Sequence, residues 1–344
     1  MAFSSASTAL FFALFLLSFA CLGSWIITFK LAGKRRRFEL FSLDFALGTV
    51  LFSILAAFTL GNMNADLPFG DRIMISSKTA QGLVLSAGFI FGLANLLLLG
   101  AVSLLGAMGA FPICVGLVLI VHALLDFRAY QLGALLAGLA LSAAGVLLGA
   151  SACRSRDSAL ASSGRKAAPQ SLGMKSARSL KGSILALIAG ALLGVFYPLA
   201  EGGIYGDLGL GPYAGLVFFC AGALFSTLLF SIFSFNIALE GSRLHISSYF
   251  AGQPRQHLFG LAGGAIWAAG ALTAFLASAT AANIRWRQEL VGALPLASAL
   301  LALLWGALIW REFAPAPRRA QFSLVGTAAL LVGGFLLIGL AHVR

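Results

Sequence analysis

Few side chains in this sequence could move a proton or hold a polar solute, and most of them interrupt apolar stretches. Asp44 lies inside SLDFALGTV (42–50) with no basic neighbour. A carboxylate within a membrane-spanning segment is costly to bury, which makes it a proton-site hypothesis by default. Asp44 also follows KRRR (34–37) by about two turns, so capping its own helix is the alternative. Glu201, after YPLA and beside GDLGLGP, reads as a gate or second protonatable group, or as a solvated loop residue. His122 and Asp126 are spaced i, i+4, which suits either a relay or a local hydrogen bond. Asn95 offers both a donor and an acceptor to an amide edge. Trp25, Trp267, Trp305, Tyr197 and Tyr213 can supply flat walls for a small polar ligand. Trp25 and Trp305 are deep for interfacial anchors, so they either line a cavity or pack, whereas Trp286 in RWRQ reads as an interfacial belt residue.

These residues need elements to hold them, and composition decides which. Sixty per cent of the 344 residues are hydrophobic, 10% are charged, and the mean hydropathy is +0.97. So little charge cannot keep a soluble surface wet. Apolar runs of spanning length lie near 8–29, 41–61, 80–100, 106–125, 132–150, 183–200, 212–236, 258–280, 290–310 and 322–341. The runs do not alternate polar with apolar, as the strands of a membrane barrel must. The expected fold is therefore an all-α polytopic membrane protein of ten transmembrane helices, in contact with the lipid bilayer and a monomer or homodimer.

The formal net charge of +12 would suggest nucleic acid in a soluble protein. Here the basic residues sit in loops and at span edges. With the N-terminus outside, 17 of the 23 fall on the inner side and 6 on the outer. The positive-inside rule then places both termini outside a cell membrane, with KRRR and residues 151–182 cytoplasmic. A lipid or nucleic-acid role for KRRR is the weaker reading, and no nucleic-acid partner is expected. The first apolar run lacks a basic leader and reads as a span rather than a secretion signal. Cys21, Cys114, Cys153 and Cys220 are scattered, which suits neither a metal site nor a disulfide framework. No nucleophile elbow, zinc-protease helix or phosphate-binding loop is present, so neither an enzyme nor a cofactor is expected.

Residues 151–182, rich in Ser, Ala, Gly and basic residues, read as a flexible cytoplasmic linker. The linker separates five spans (1–150) from five more (183–344), and the halves match in order. LGSW (22–25) faces LGVF (193–196), Asp44 faces Tyr213, SAGFIFGLAN (86–95) faces LAGGAIWAAG (261–270), and GAFPI (109–113) faces GALPL (292–296). Because five is odd, a second copy lies inverted, which is the inverted-repeat plan of secondary transporters. Proline inside a helix withholds a backbone donor. Pro112 and Pro295, at matching points, therefore read as hinges beside a midplane site or as simple packing kinks.

The same stretches carry a resemblance. Ten spans in two halves with a Trp in the first, LGSW, SLDFALGTV with TLG (59–61), Asn95, LLD (124–126), ALPL (293–296), and WG with Glu312 (305–312) resemble the ureide permease family. That family lies within the drug/metabolite transporter superfamily. The resemblance runs nearly end to end and implies proton-coupled uptake of a ureide or nucleobase such as allantoin or uracil. Within the superfamily a sugar carrier or small-metabolite exporter is the alternative. A non-transporting membrane receptor or scaffold is the alternative of another class.

Overall fold

The structure, a computed structural model, describes residues 2–33, 36–63, 67–125, 131–162, 172–206, 208–236, 243–280, 287–310, 312 and 316–341. All regular structure among them is helical. The helices are α1 (Ala2–Ser24), α2 (Ile26–Leu31), α3 (Phe38–Phe58), α4 (Leu60–Met63), α5 (Phe69–Ile75), α6 (Lys78–Leu105), α7 (Ala107–Leu125) and α8 (Leu132–Ser162). They continue as α9 (Leu172–Tyr205), α10 (Gly211–Asn236), α11 (Ser247–Phe250), α12 (Pro254–Ala279), α13 (Arg287–Gly292), α14 (Leu294–Leu308) and α15 (Arg318–Ala341). Nine helical stretches among the described residues are long and apolar enough to cross a bilayer, and Leu294–Leu308 is a shorter apolar one. Large apolar side chains such as Leu51, Leu55, Phe58, Phe225 and Phe322 face outward, as the lipid-facing side of such helices requires. The chain is a polytopic helical membrane protein.

Two expectations change here. Residues 151–162 and 172–182 are helical, extending α8 and beginning α9, rather than forming a flexible linker. Ala152, Ala159, Met174, Lys175, Ala177 and Lys181 are good helix formers, and the breakers Gly164 and Pro169 fall at 163–171, outside the described residues. The second change concerns the prolines. α7 runs through Pro112, and its break lies upstream at Gly106, which has φ +80°. Pro295 sits in the first turn of α14, just past a turn at Ala293. In that position a missing N–H leaves no helical bond unmade.

The helices gather into two compact units, Met1–Leu96 with Phe196–Ser298, and Leu97–Val195 with Ala299–Arg344. Each unit draws on both halves of the chain. In the first unit α12 packs on α3 and α1, and α10 packs on α3. Two crossings there have the same construction. Phe45 and Gly48 of α3 meet Leu261 and Gly264 of α12, each glycine Cα lying against the other helix's carbonyl (Gly48 on Leu261, Gly264 on Phe45). Phe219 and Gly222 of α10 meet Leu85 and Gly88 of α6 in the same way, Gly222 on the Leu85 carbonyl and Gly88 on the Phe219 carbonyl. A methyl group at any of the four would be driven into backbone, so only glycine permits these approaches. In the second unit α15 lies along α8, with Gly138 and Gly334 face to face, and α7 packs on α8.

Candidate proton-coupling site

Asp44 lies about two turns inside α3, whose N-cap is Arg37. It therefore does not cap its helix. Its side chain is directed at the first turns of α12, where Gly260 has no Cβ to obstruct it. Four residues from four parts of the first unit converge on this point. Arg36 Nη2 donates to Asp44 Oδ2 at 2.5 Å, and both side chains are 1% exposed. The Tyr249 hydroxyl, on α11, donates to Asp44 Oδ1 at 2.5 Å. His257 Nδ1, in the first turn of α12, lies 2.9 Å from Asp44 Oδ1 and 3.1 Å from Arg36 Nη2. The guanidinium also lies over the Tyr249 ring at 5.5 Å, and Tyr249 and His257 meet edge to face at 4.8 Å.

The local sequence explains the placement. Pro254 at the start of α12 fixes the helical φ there, and the Gln256 side chain accepts the Gln253 N–H at 3.3 Å. This holds the first turn, and His257 with it. Gly252 lets the chain pass so close to Arg36 Nη1 and His257 Nε2 that a Cβ there would collide with both.

Burying a carboxylate is tolerable when a guanidinium meets it, and the cluster does that for Asp44. It leaves Arg36 incompletely served, since Nε and Nη1 are buried without a hydrogen-bond partner among the described residues. Each unmet donor of this kind costs about 1–3 kcal/mol. Burial, and then the Asp44 carboxylate that it bonds, push the Tyr249 phenol above its ordinary pKa, with Arg36 opposing. Beside the cluster, Glu39 is fully buried and held by Arg37 through two bonds of 2.5 and 3.2 Å.

The ligand-wall candidates divide. Trp267 is buried and stacked on Phe91 at 4.2 Å and 28°, and Phe219 lies near both, 5.9 Å from Trp267 at 17° and 5.2 Å from Phe91. Trp25 is buried against Phe45 at 4.9 Å. Both rings are packed on other rings in this conformation. Asn95 follows Phe91 by one turn of α6, is 5% exposed, and makes no hydrogen bond among the described residues. Tyr197 joins the apolar cluster of Phe11, Ala274, Ala277, Val291 and Leu294, with its hydroxyl bonded to Ser278. Glu201 lies in α9 one turn on, within electrostatic reach of Tyr197, and so is in a helix rather than a loop. Tyr213, half-buried on α10, sits against Gly61. Trp305 is half-buried on α14 in the second unit. His122 occupies the last turn of α7, while Asp126 and Trp286 lie outside the described residues.

Arg36, His257 and Tyr249 were missed by sequence reasoning, which gave Arg36 only a topological role. The available signal was a histidine in the first turn of an apolar helix behind Pro254.

No protein-family profile and no curated protein matches the chain. Four chains of known structure do. One of them, described only as a crystal structure of a protein, is 17% identical, with 98% of each chain covered and a TM-score of 0.45.

Proposed function

We propose that the protein is a secondary active transporter that couples movement of a small polar solute to protons, with a ureide or nucleobase as the leading solute class. One observation carries this reading. Asp44, a buried acid within a membrane-crossing helix, is bonded at once by a guanidinium, an imidazole and a phenol, two of them from the other half of the chain. Buried ionisable groups in membrane helices mark ion and proton pathways.

The two matching crossings support an inverted-repeat architecture. Exchanging the halves turns the Phe45–Gly48 and Leu261–Gly264 crossing into the Phe219–Gly222 and Leu85–Gly88 crossing. Loop contacts support ten crossings. The Ser77 N–H bonds to the Leu208 carbonyl at 2.9 Å, Arg36 meets His257, and Glu312 accepts from the Met108 N–H at 3.0 Å. The first two pairs are separated by four and six spans, and the third is separated by an even number, six, only if Leu294–Leu308 counts as one. The Asn95 amide, without a hydrogen-bond partner among the described residues and one turn of α6 beyond the Phe91 that stacks on Trp267, is a fitting combination for a flat amide-bearing ring. By charge asymmetry the Asp44 cluster faces the cytoplasm.

Proteoliposomes offered radiolabelled uracil, allantoin, xanthine or glucose, with and without an inward proton gradient, test the proposal. At least one nitrogen heterocycle should accumulate only with the gradient, and Asp44→Asn should abolish that accumulation. Accumulation of glucose alone would favour a sugar carrier, and accumulation of nothing would favour a receptor or scaffold.

A further inference from the structure

The Asp44 cluster contains one atom with two incompatible offers. His257 Nδ1 lies 3.1 Å from Arg36 Nη2, which can only donate, and 2.9 Å from Asp44 Oδ1, which as a carboxylate can only accept. A neutral imidazole carrying its proton on Nε2 presents a lone pair at Nδ1 and takes the Arg36 hydrogen. A protonated imidazole presents N–H at Nδ1, bonds Asp44, and faces Arg36 donor to donor and charge to charge. Unperturbed imidazole is the side chain that changes charge between about pH 5 and 8. His257 is 23% exposed, while Asp44 and Arg36 are 1% exposed, so the proton has a route to the imidazole first.

We infer that His257 takes up the coupling proton, and that protonation hands Asp44 from Arg36 to His257 and releases the segment that Arg36 anchors. This rests on the coupling reading above and names the group within the site that acts. The other charged or titratable groups bear on it as follows. From α3 there is Asp44, with Glu39 beside the cluster already held by Arg37, from the 36–37 segment Arg36, and from α11 Tyr249. On α12 itself Arg255 is turned away over Phe259 at 5.3 Å. Tyr249 keeps its bond to Asp44 Oδ1 in both states, so α11 stays in place while the other side loosens. Arg36 is prepared for release, because its Nε and Nη1 hydrogens are unmet while it stays buried. Release lets them reach water, and proton loss from His257 restores the closed arrangement.

The consequence is asymmetric and measurable without transport. The Arg36 N–H bonds to Gly33 and the Phe41 N–H to Arg37, both within the segment that would loosen. Hydrogen–deuterium exchange of the purified full-length protein in micelles, between pH 5 and 8 and corrected for intrinsic exchange, reads this directly. Protection of amides 36–41 should fall with decreasing pH, by up to about tenfold per pH unit, the limit for one linked proton. Protection of amides 247–257 should stay level. His257→Asn places an amide near the Nδ1 position that cannot take up a proton, and it should flatten the dependence at 36–41. A flat wild-type profile overturns the inference, as does a pH dependence that survives in His257→Asn, or equal loosening of both segments. Because no solute is involved, these results stand apart from the proteoliposome outcome. Failure to accumulate any solute would overturn the transport reading and leave the switch intact.

Discussion

Each compact unit holds a buried arginine near a carboxylate, and the two are used in opposite ways. In the first unit, Arg36 and Asp44 spend their hydrogen bonds mainly on side chains, with His257 and Tyr249 completing the cluster. In the second, Arg156 donates to the Leu105 carbonyl at 2.9 Å, and Glu312 accepts from the Ala107 and Met108 amides at 3.4 and 3.0 Å. Arg156 and Glu312 thus serve the end of α6 and the start of α7, where backbone groups have no helical partner. A bond to backbone can be remade only by moving the helix end. A bond between side chains can be remade by a rotamer change or a proton. The same residue types therefore make a fixed joint in one unit and an exchangeable one in the other.

The largest expected effect separates the two directly. Arg36→Met strands a buried carboxylate, and should lower unfolding free energy by about 3–5 kcal/mol. Adding Asp44→Asn should recover much of that loss. Glu312→Gln keeps an oxygen for the Met108 amide and removes the charge at the helix start, a contribution of about 0.3–1 kcal/mol, and should cost less than Arg36→Met. Denaturant titration in micelles compares them, and equal costs would erase the distinction.

An intermediate effect is expected at the fixed joint. Gly106 has φ +80°, and a Cβ there would lie 2.8 Å from Glu312 Oε2. Gly106→Ala should cost about 1–3 kcal/mol through backbone strain, read as a lowered unfolding midpoint. Combined with Glu312→Ala the cost should be less than the sum, since the collision disappears.

The smallest effect sharpens the account of the exchangeable joint. Tyr249 binds its proton more tightly in the folded protein, because of burial and then Asp44. Its contribution is present in full below the unfolded pKa near 10, and is lost as pH rises through the higher folded value. Wild-type stability should therefore decline in alkaline solution above about pH 10. Tyr249→Phe should decline less over the same range in thermal unfolding scans.

Much of the fold was legible because bilayer thickness sets span length and apolar composition marks it. The positions of α3, α7 and α10 follow their apolar runs closely. The helical extension of α8 and α9 was less legible, since Ser- and Gly-bearing sequence reads as linker while its Ala, Lys and Leu residues favour helix. Asp44 stood out because a charge in hydrocarbon needs a reason. Its partners did not, because Arg36 resembles any basic loop residue and His257 is 213 residues away in sequence. The register of the proposed repeat suffered similarly. Matching span starts set Asp44 against Tyr213, whereas the glycine contacts set Gly48 against Gly222. Helix ends drift with loop length, but a close crossing fixes its residues.

Those crossings also bear on inheritance. When two side chains touch, a change in one can be answered by a change in the other, and a lineage can wander through paired substitutions. At Gly48, Gly88, Gly222 and Gly264 the opposing group is a main-chain carbonyl, which every amino acid carries alike. No mutation on the facing helix can make room. Descendants of this sequence can vary around the four positions but have no compensated route through them, so the four together make a durable mark by which distant kin could be recognised.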